Sequence, residues 1–518
     1  MAEYPFNNFY EVIEKNAKKF KKKPILFEDK VKVSHIQLKD YVDSFAKYLE
    51  VNGIKKEDKV SILMTNSKEF IIAFLAIGKL GAIPVPINTF LKRHELEYIL
   101  ENSDSKLLIT QGKFAKELDG ILQTVPDLEK IIWSEDYPNL DEKNLSFEEG
   151  LTLKDFEHIR PKANLEDVAV IIYTSGTTGK PKGVMLTYKN IFSNIVNITK
   201  IVPLSHKDRF IVYLPMFHTF TLTATVLLPL YIGAPIVIIK SIFPFSNILK
   251  QVLLKRVSIF MGVPEVYNAL SKAKLPWYFM WFNRLKAFVS GGAPLPEATL
   301  KRMKQKFPKV PLLEGYGLSE ASPVVSFNRP EKQKPLSVGL PLPEYEVKIV
   351  DDELVELPVG QVGEIIIKGD NVMKGYYKNP EATEQTVING WLLTGDLGYV
   401  DEEGFLYIVD RKKDLIISKG INIYPREIEE ELMRHPAVEL AAVVGKKDEV
   451  HGEIPVAFIQ LREGEEVSEV ELKKFLKDKL ANYKIPRHFY FLEELPKNAT
   501  GKVLKRVLRE RLNKGEFD

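Results

Sequence analysis

Cysteine is absent from all 518 residues, which excludes disulfides, thiolate nucleophiles and cysteine metal sites. Net charge is almost absent too. Against 73 Lys and Arg stand 70 Asp and Glu, and a formal +3 is negligible for a chain of this length. The two signs also stay near balance over residues 411–518, so no basic tail asks for nucleic acid. The first eight residues, Met1-Ala-Glu-Tyr-Pro-Phe-Asn-Asn8, have neither the basic n-region nor the apolar h-region of a secretory signal. Unbroken hydrophobic runs are lacking as well. The longest, Leu222–Ile239, is interrupted by Thr223, Thr225, Pro229, Gly233 and Pro235, too broken for a membrane span. It reads instead as a buried wall beneath a binding pocket. A cytoplasmic protein is the expectation, with loose peripheral contact on the inner face of the membrane left open.

What remains is an ordinary soluble composition, 45% hydrophobic and 28% charged, in a chain too long for one hydrophobic core. Short β-rich runs alternate with helical patterns. Val60–Met64, Leu107–Thr110, Val257–Phe260 and Ala287–Ser290 read as strands, and Glu69–Leu80 as a helix. That alternation predicts an α/β fold with mostly parallel sheets covered by helices on both faces. Near 340–410 the texture changes. Val347–Val350, Gly363–Ile367 and Phe405–Val409 are separated by Pro, Gly and Asp turns, which predicts a small β-barrel-like subdomain. From Arg411 onward the pattern becomes α+β, with a helix from Arg426 to His435, strands near Ala441–Val444 and Val456–Leu461, and a charged helix at 468–480. The expected division is a large domain of residues 1–410 and a smaller one of 411–518, joined at 410–414.

Residues 174–183, Thr-Ser-Gly-Thr-Thr-Gly-Lys-Pro-Lys-Gly, carry the strongest chemical signal. The apolar run Val168–Tyr173 leads into them. Glycines let backbone N–H groups converge on an anion, hydroxyls add donors, and Lys180 and Lys182 supply charge for phosphate. The spacing is not that of a Walker P-loop, because only two residues separate Gly176 from Gly179 and Pro181 follows the lysine. A polar surface loop is the competing reading. Further on, Ser290-Gly-Gly-Ala-Pro294 follows a strand, and its glycines allow a flat base to lie on the backbone. Glu314-Gly-Tyr-Gly-Leu-Ser-Glu320 sets Tyr316 between Gly315 and Gly317, open for stacking, and Glu320 is a hard oxygen ligand suited to Mg²⁺. Trp391-Leu-Leu-Thr-Gly-Asp396 ends in a carboxylate able to accept from vicinal ribose hydroxyls.

Taken in order, these motifs resemble those of the adenylate-forming superfamily, which contains acyl-CoA synthetases, adenylation domains of peptide synthetases and beetle luciferases. The resemblance covers nearly the whole chain. It implies ATP and CoA as co-substrates and Mg²⁺ as cofactor. It implies that Thr174, Ser175, Gly176, Thr177, Thr178, Gly179 and Lys180 bind the phosphates. Gly292, Ala293, Pro294, Glu314, Gly315, Tyr316, Gly317 and Ser319 would surround the adenosine, with Asp396 and Arg411 on ribose and phosphate. Thr174 and Glu320 are the implied metal ligands. Asp410-Arg-Lys-Lys-Asp414 resembles the superfamily's hinge, with the pivot on Lys413, and Gly420 matches the glycine that lines the pantetheine channel. Leu495-Pro-Lys-Asn-Ala-Thr-Gly-Lys502 matches the motif whose last lysine enters the active site during adenylation. Lys502, His218, Thr177 and Lys182 are therefore the catalytic candidates. A hinge has to be solvated and unpacked, and Lys412-Lys413-Asp414 fits that requirement.

Pro215-Met-Phe-His-Thr-Phe220 resembles the stretch that closes over the acyl carboxylate, where His218 either gates the pocket or packs on aromatics. Phe217, His218, Thr219, Leu222, Thr223 and Val263 are the expected acyl-pocket residues. No Asp or Lys lies between Phe217 and Ile239 to pair with an amino acid's ammonium, which favours an alkyl chain. Glu314–Pro323 looks most like long-chain fatty acyl-CoA synthetases. Transfer to an acyl-carrier protein, an aryl or medium-chain acid, a non-catalytic nucleotide-binding scaffold and a luciferase-type oxygenase are the rivals. A homodimer stays open, and no nucleic-acid partner is expected.

Overall fold

The computed structural model describes residues 4–135, 137–153, 160–174, 180–240, 244–448, 450–498 and 501–517. Two parallel sheets form the larger part. One runs Ile83–Pro86, Lys59–Leu63, Ser105–Gln111, Lys130–Ser134 and Asn144–Ser146, parallel at every step. The other has nine strands. Its six central members are parallel, in the order Leu312–Gly317, Ala287–Ser290, Ile259–Gly262, Phe210–Val212, Ile236–Ile238 and Pro24–Glu28. Helices cover these sheets, and the local chemistry explains where each begins. Lys68–Lys79, for example, starts where the Ser67 side chain accepts from the Phe70 N–H, with Glu69 in its first turn and Lys79 in its last. Its run Phe70–Gly78 is buried on all sides, so it reads as continuously apolar instead of striped.

A hairpin of Val168–Thr174 and Lys182–Thr187, with Gly375–Tyr376 on its edge, sits between the two parallel sheets in sequence. Glu346–Val350, Gly363–Lys368, Trp391–Val400, Val387–Ile388 and Leu406–Arg411 then make a small antiparallel sheet. Within it Trp391–Val400 is long enough to serve neighbours on both sides.

The last part is an α+β domain with its own core. Ile416–Ser418, Ile421–Ile423, Val438–Asp448, Gly452–Leu461 and His488–Phe491 form its sheet, packed by the helices Pro425–Met433, Glu469–Lys477 and Lys505–Asn513. Its two hydrophobic clusters begin at Ile416 and include nothing earlier in the chain. The clusters of the larger part, conversely, stop at Leu406. Among the described residues no helix is long and apolar enough to cross a membrane.

Candidate functional site

Three neighbouring parallel strands end together. Gly262, Ser290 and Glu314 stand side by side in register at their carboxyl ends, the place where open α/β sheets bind ligands. Beyond that line the backbone of Ser290–Gly292 and of Gly315–Gly317 forms one end of a cleft enclosing about 880 Å³, solvent at its mouth included. Such a volume falls in the range of small-molecule sites. Glycine is required at Gly317, because a Cβ there would lie 2.0 Å from the carbonyl oxygen of Pro323. Gly292 needs its freedom for a different reason, a φ of +82°. Glu314 is buried and accepts from the Leu295 N–H at 3.3 Å, which ties the Ser290–Pro294 turn to the next strand. Burial pushes its carboxyl up to about 7.

Tyr316, Asp396 and Arg411 form a chain of polar contacts. The Tyr316 hydroxyl donates to Asp396 Oδ2 at 2.6 Å, and Arg411 Nε lies 3.2 Å from Oδ1. Asp396 and Arg411 are cross-strand partners, so the sheet itself sets their distance. Burial first, and the adjacent carboxylate second, keep the Tyr316 phenol protonated and donating.

The hairpin brings Thr174 opposite Lys182, which places both at the mouth of the glycine-rich turn. Ser175, Gly176, Thr177, Thr178 and Gly179, within that turn, lie outside the described residues. The two lysines flanking them rest on aromatic rings. Lys182 Nζ is 5.1 Å from the centroid of Tyr376, and Lys180 Nζ is 5.5 Å from that of Tyr98. Neither forms an ion pair among the described residues, so both ammonium groups keep donors for an anion. Tyr376 also donates from its hydroxyl to Glu320 Oε1 at 3.0 Å, joining Lys182 to the expected metal ligand. Tyr376 was not among the expected site residues. It is a short edge strand paired to Lys182–Thr187 from nearly two hundred residues away, a contact that local pattern does not reveal.

Lys502 reaches this cleft from the smaller domain. Its own N–H donates to Asn498 Oδ1 at 2.9 Å, and its carbonyl accepts from the Asn498 N–H at 2.9 Å. Lys497 pairs with Glu265 of the larger part at 3.4 Å, and Gly501 is packed so tightly on the same carboxylate that a Cβ would come within 2.2 Å. Burial, and then the like charge of Arg411, bring the Lys502 ammonium down to about 8, with Asp396 and Asp414 opposing. Two half-buried cations thus lie near each other, an arrangement that an anion between them would relieve. His218 sits in the same field. Burial, and then Lys502, lower it to about 4, so it is a neutral imidazole at pH 7 whose Nδ1 accepts from the Phe220 N–H at 3.3 Å.

The apolar end of the cleft is lined by His218, Thr219, Phe220, Ala224, Leu228 and Val202 among others, with no Asp, Glu, Lys or Arg among the described residues. Phe217, Leu222, Thr223 and Val263, expected to line it, do not. All four are buried behind the wall. After His218 the chain forms a helical turn and then a π-helical segment, Leu222–Leu227. Phe220, Ala224 and Leu228, at i, i+4 and i+8, share the face that meets the cleft, and Leu222 and Thr223 turn into the core. Phe220 is a residue that this spacing could have revealed. Thr219 and Ser319 are brought together, hydroxyl to hydroxyl at 2.8 Å.

At 410–414 the expectation of an unpacked link needs correction. Asp410 accepts from its own neighbour Arg411 N–H and from Arg426 N–H, each at 2.8 Å. Lys412 pairs with Glu364 at 2.9 Å and Asp352 at 2.8 Å, and buried Asp414 pairs with Arg509. Only Lys413 is exposed without a carboxylate partner among the described residues. Gly420, at φ +76°, forms an open hairpin tip that does not line the cleft.

Comparison with known families and proteins agrees with this geometry. Residues 13–377 match the family AMP-binding enzyme, and residues 427–502 match the AMP-binding enzyme C-terminal domain. The chain is 36% identical to the long-chain-fatty-acid–CoA ligase of Bacillus subtilis, over 98% of this chain and 95% of that protein. It is 37% identical to the 2-succinylbenzoate–CoA ligase of Bacillus cytotoxicus, over 93% and 94%. Among solved structures, the o-succinylbenzoate CoA synthetase of Bacillus subtilis in complex with ATP and magnesium superposes with a TM-score of 0.85 at 32% identity, covering 97% of this chain and 99% of that one.

Proposed function

The chain belongs to the AMP-binding enzyme family, as an AMP-forming acid–thiol ligase of the CoA ligase type, and from that premise we propose that it activates long-chain fatty acids. One observation carries the choice of substrate. The apolar end of the cleft has no cation to meet a second carboxylate, which a succinylbenzoate would present, and no anion to meet an ammonium. An alkyl monocarboxylate leaves no buried charge unpaired there.

The reaction runs in two steps. A substrate carboxylate oxygen attacks the α-phosphorus of ATP, the bond to the bridging oxygen breaks, and pyrophosphate leaves with that electron pair. The CoA sulfur then attacks the acyl carbon, and AMP departs as the thiol loses its proton. In the first step two anions must approach each other. Lys502 and Arg411 neutralise that repulsion from a desolvated site, where fixed charges act most strongly. Lys180 and Lys182, held on rings, take the outgoing phosphates. Asp396 and Tyr316 orient the nucleoside so that attack is in line. His218, being neutral, adds a polar edge at the carboxylate without adding a competing charge.

Glu320 and Thr174 suit a magnesium ion. Glu320 Oε2 is left over from the Tyr376 contact, and magnesium at such sites takes most of its ligands from phosphate and water. When bound, that ion supplies charge neutralisation at the phosphates. We further assign the boundary between domains to 410–414, the pivot to Lys413 and the thiol path to Gly420.

The test is ATP–pyrophosphate exchange and thioester formation across saturated acids of increasing length, with 2-succinylbenzoate and benzoate alongside, and with CoA against acyl-carrier protein. Rising kcat/KM toward long chains with CoA is expected. A preference for the aryl acids would overturn the substrate, and a preference for the carrier protein would overturn the acceptor.

A further inference from the structure

We propose that the helix Trp277–Phe282 is a peripheral membrane contact that seats in the headgroup layer of an anionic bilayer. Its sequence is Trp-Tyr-Phe-Met-Trp-Phe, and only Phe279 turns into the core. Trp281 is 81% exposed, Trp277 71% and Phe282 64%, with Tyr278 and Met280 exposed beside them. Single exposed apolar residues are ordinary, but a contiguous aromatic patch marks an interaction surface.

The patch is held rigidly. Phe279 packs in the cluster that contains Tyr267 and Phe288, and Leu275 and Leu285 pack against that cluster on either side. The Asn283 amide donates to the carbonyls of Phe279 and Met280 at 2.8 and 3.1 Å. Lys306 donates to those of Leu270, Ser271 and Ala273, which fixes the chain as it enters the helix. The rings are therefore displayed on an ordered platform.

Charge identifies the occupant. Between Glu265 and Glu297 the sequence has no Asp or Glu, while Lys272, Lys274, Arg284 and Lys286 flank the aromatic run. Lys272 is paired with Glu439 and Lys286 with Asp208. Lys274 and Arg284 are exposed and form no ion pair among the described residues. Amphipathic Trp and Tyr rings rimmed by unpaired cations suit the interface of a membrane that carries anionic lipids. A second copy of the chain is the poorer partner, since a two-fold contact through this patch would set Lys274 and Arg284 against their own equivalents. Six residues are far too few to span, so the contact is superficial. The inference does not depend on which acid the enzyme activates.

The experiment is flotation of the full-length protein with phosphatidylcholine vesicles, either pure or containing about one-third phosphatidylglycerol, at low and high salt. Tryptophan quenching by brominated lipid is read in parallel. Of the four tryptophans Trp133 is buried and Trp391 half-buried, so Trp277 and Trp281 are the most accessible, and the signal lost in a variant lacking both isolates their share. Wild type should float with the anionic vesicles, be released by high salt and be quenched. W277S/W281S/F282S should lose flotation and quenching while keeping ATP–pyrophosphate exchange with a short, soluble acid, which certifies its fold. K274E/R284E should lose the preference for anionic over neutral vesicles. The proposal is overturned if wild type stays with the soluble fraction. It is equally overturned if the triple variant floats as well as wild type, or if the triple variant changes only the oligomeric mass in light scattering.

Discussion

Replacing Lys502 with alanine separates the two half-reactions, and its cost can be worked from the geometry. The ammonium sits at about 8 against an ordinary lysine value of 10.5, because burial and Arg411 disfavour its charge. At 1.36 kcal/mol per tenfold, that difference is about 3 kcal/mol of unfavourable interaction held in the free enzyme. An anion developing between Lys502 and Arg411 recovers it. The same size follows from another direction, since removing one donor from a preorganised anion site costs about 2.7–4 kcal/mol, or roughly 10²–10³ in kcat. Lys502→Ala should therefore lower the rate of acyl-adenylate formation by about two to three orders of magnitude. The assay is single-turnover pyrophosphate release with saturating acid and ATP. Thioester formation from supplied acyl-adenylate and CoA should stay near wild type, because in that step the nucleophile is a thiol and Lys502 is not required. Equal loss in both steps would refute the reasoning, and so would a loss of less than about fivefold in the first, which corresponds to only 1 kcal/mol.

The pH profile provides an independent check. Lys502 is lowered, so its charge is present below about 8 and lost above it, and kcat/KM for ATP should fall tenfold per pH unit on the alkaline side of that value. Bound phosphate restores the charge, so kcat should hold to higher pH, and identical alkaline limbs for the two parameters would refute the assignment. Gly317→Ala places a Cβ 2.0 Å from the Pro323 carbonyl oxygen, a backbone atom that cannot swing aside. Melting should be lowered by the equivalent of about 1–3 kcal/mol, with weaker ATP binding by calorimetry, and an unchanged Tm would show that the strand yields freely. Lys413→Pro fixes φ near −65° in the link and should leave adenylate formation intact while the adenylate accumulates and thioester yield falls. A quenched time course that follows both products checks it, and unchanged thioester formation would move the pivot elsewhere.

Local chemistry wrote much of this enzyme legibly. The glycines that flank Tyr316 answer to close local contacts, such as that of Gly317 with Pro323, whereas Asp396, in the middle of the strand Trp391–Val400, meets Tyr316 from eighty residues away. The parallel sheets were legible locally too, as buried strands such as Ile259–Gly262 and Ala287–Ser290 are short runs buried at every position. What failed to show in the sequence is what depends on distant pairing. Tyr376 joins the site only because its short strand adds to the edge of the glycine-loop hairpin. Asp414 reads as a solvated link residue until Arg509 arrives from the last helix to cover it. The acyl wall failed more subtly. Its helical character was hidden by threonines and prolines, and the π-helical segment decides which residues face the ligand. Those cases share a consequence for the mechanism. The ties at Asp410, Lys412 and Asp414 fasten the link to residues of both domains. Were Lys413 the pivot, as proposed, Lys412 would keep Glu364 and Asp352 and Asp414 would keep Arg509, each pair lying on one side of it, and of the link's ties among the described residues only the contacts of Arg426 with Asp410 and the Ile408 carbonyl would have to break. Exposed pairs such as Lys412 with Asp352 are weak, whereas Asp414 with Arg509 is more buried and ties the start of the smaller domain to its last helix. That leaves Lys413, exposed and without a carboxylate partner among the described residues, as the position at which the proposed turn would meet least resistance.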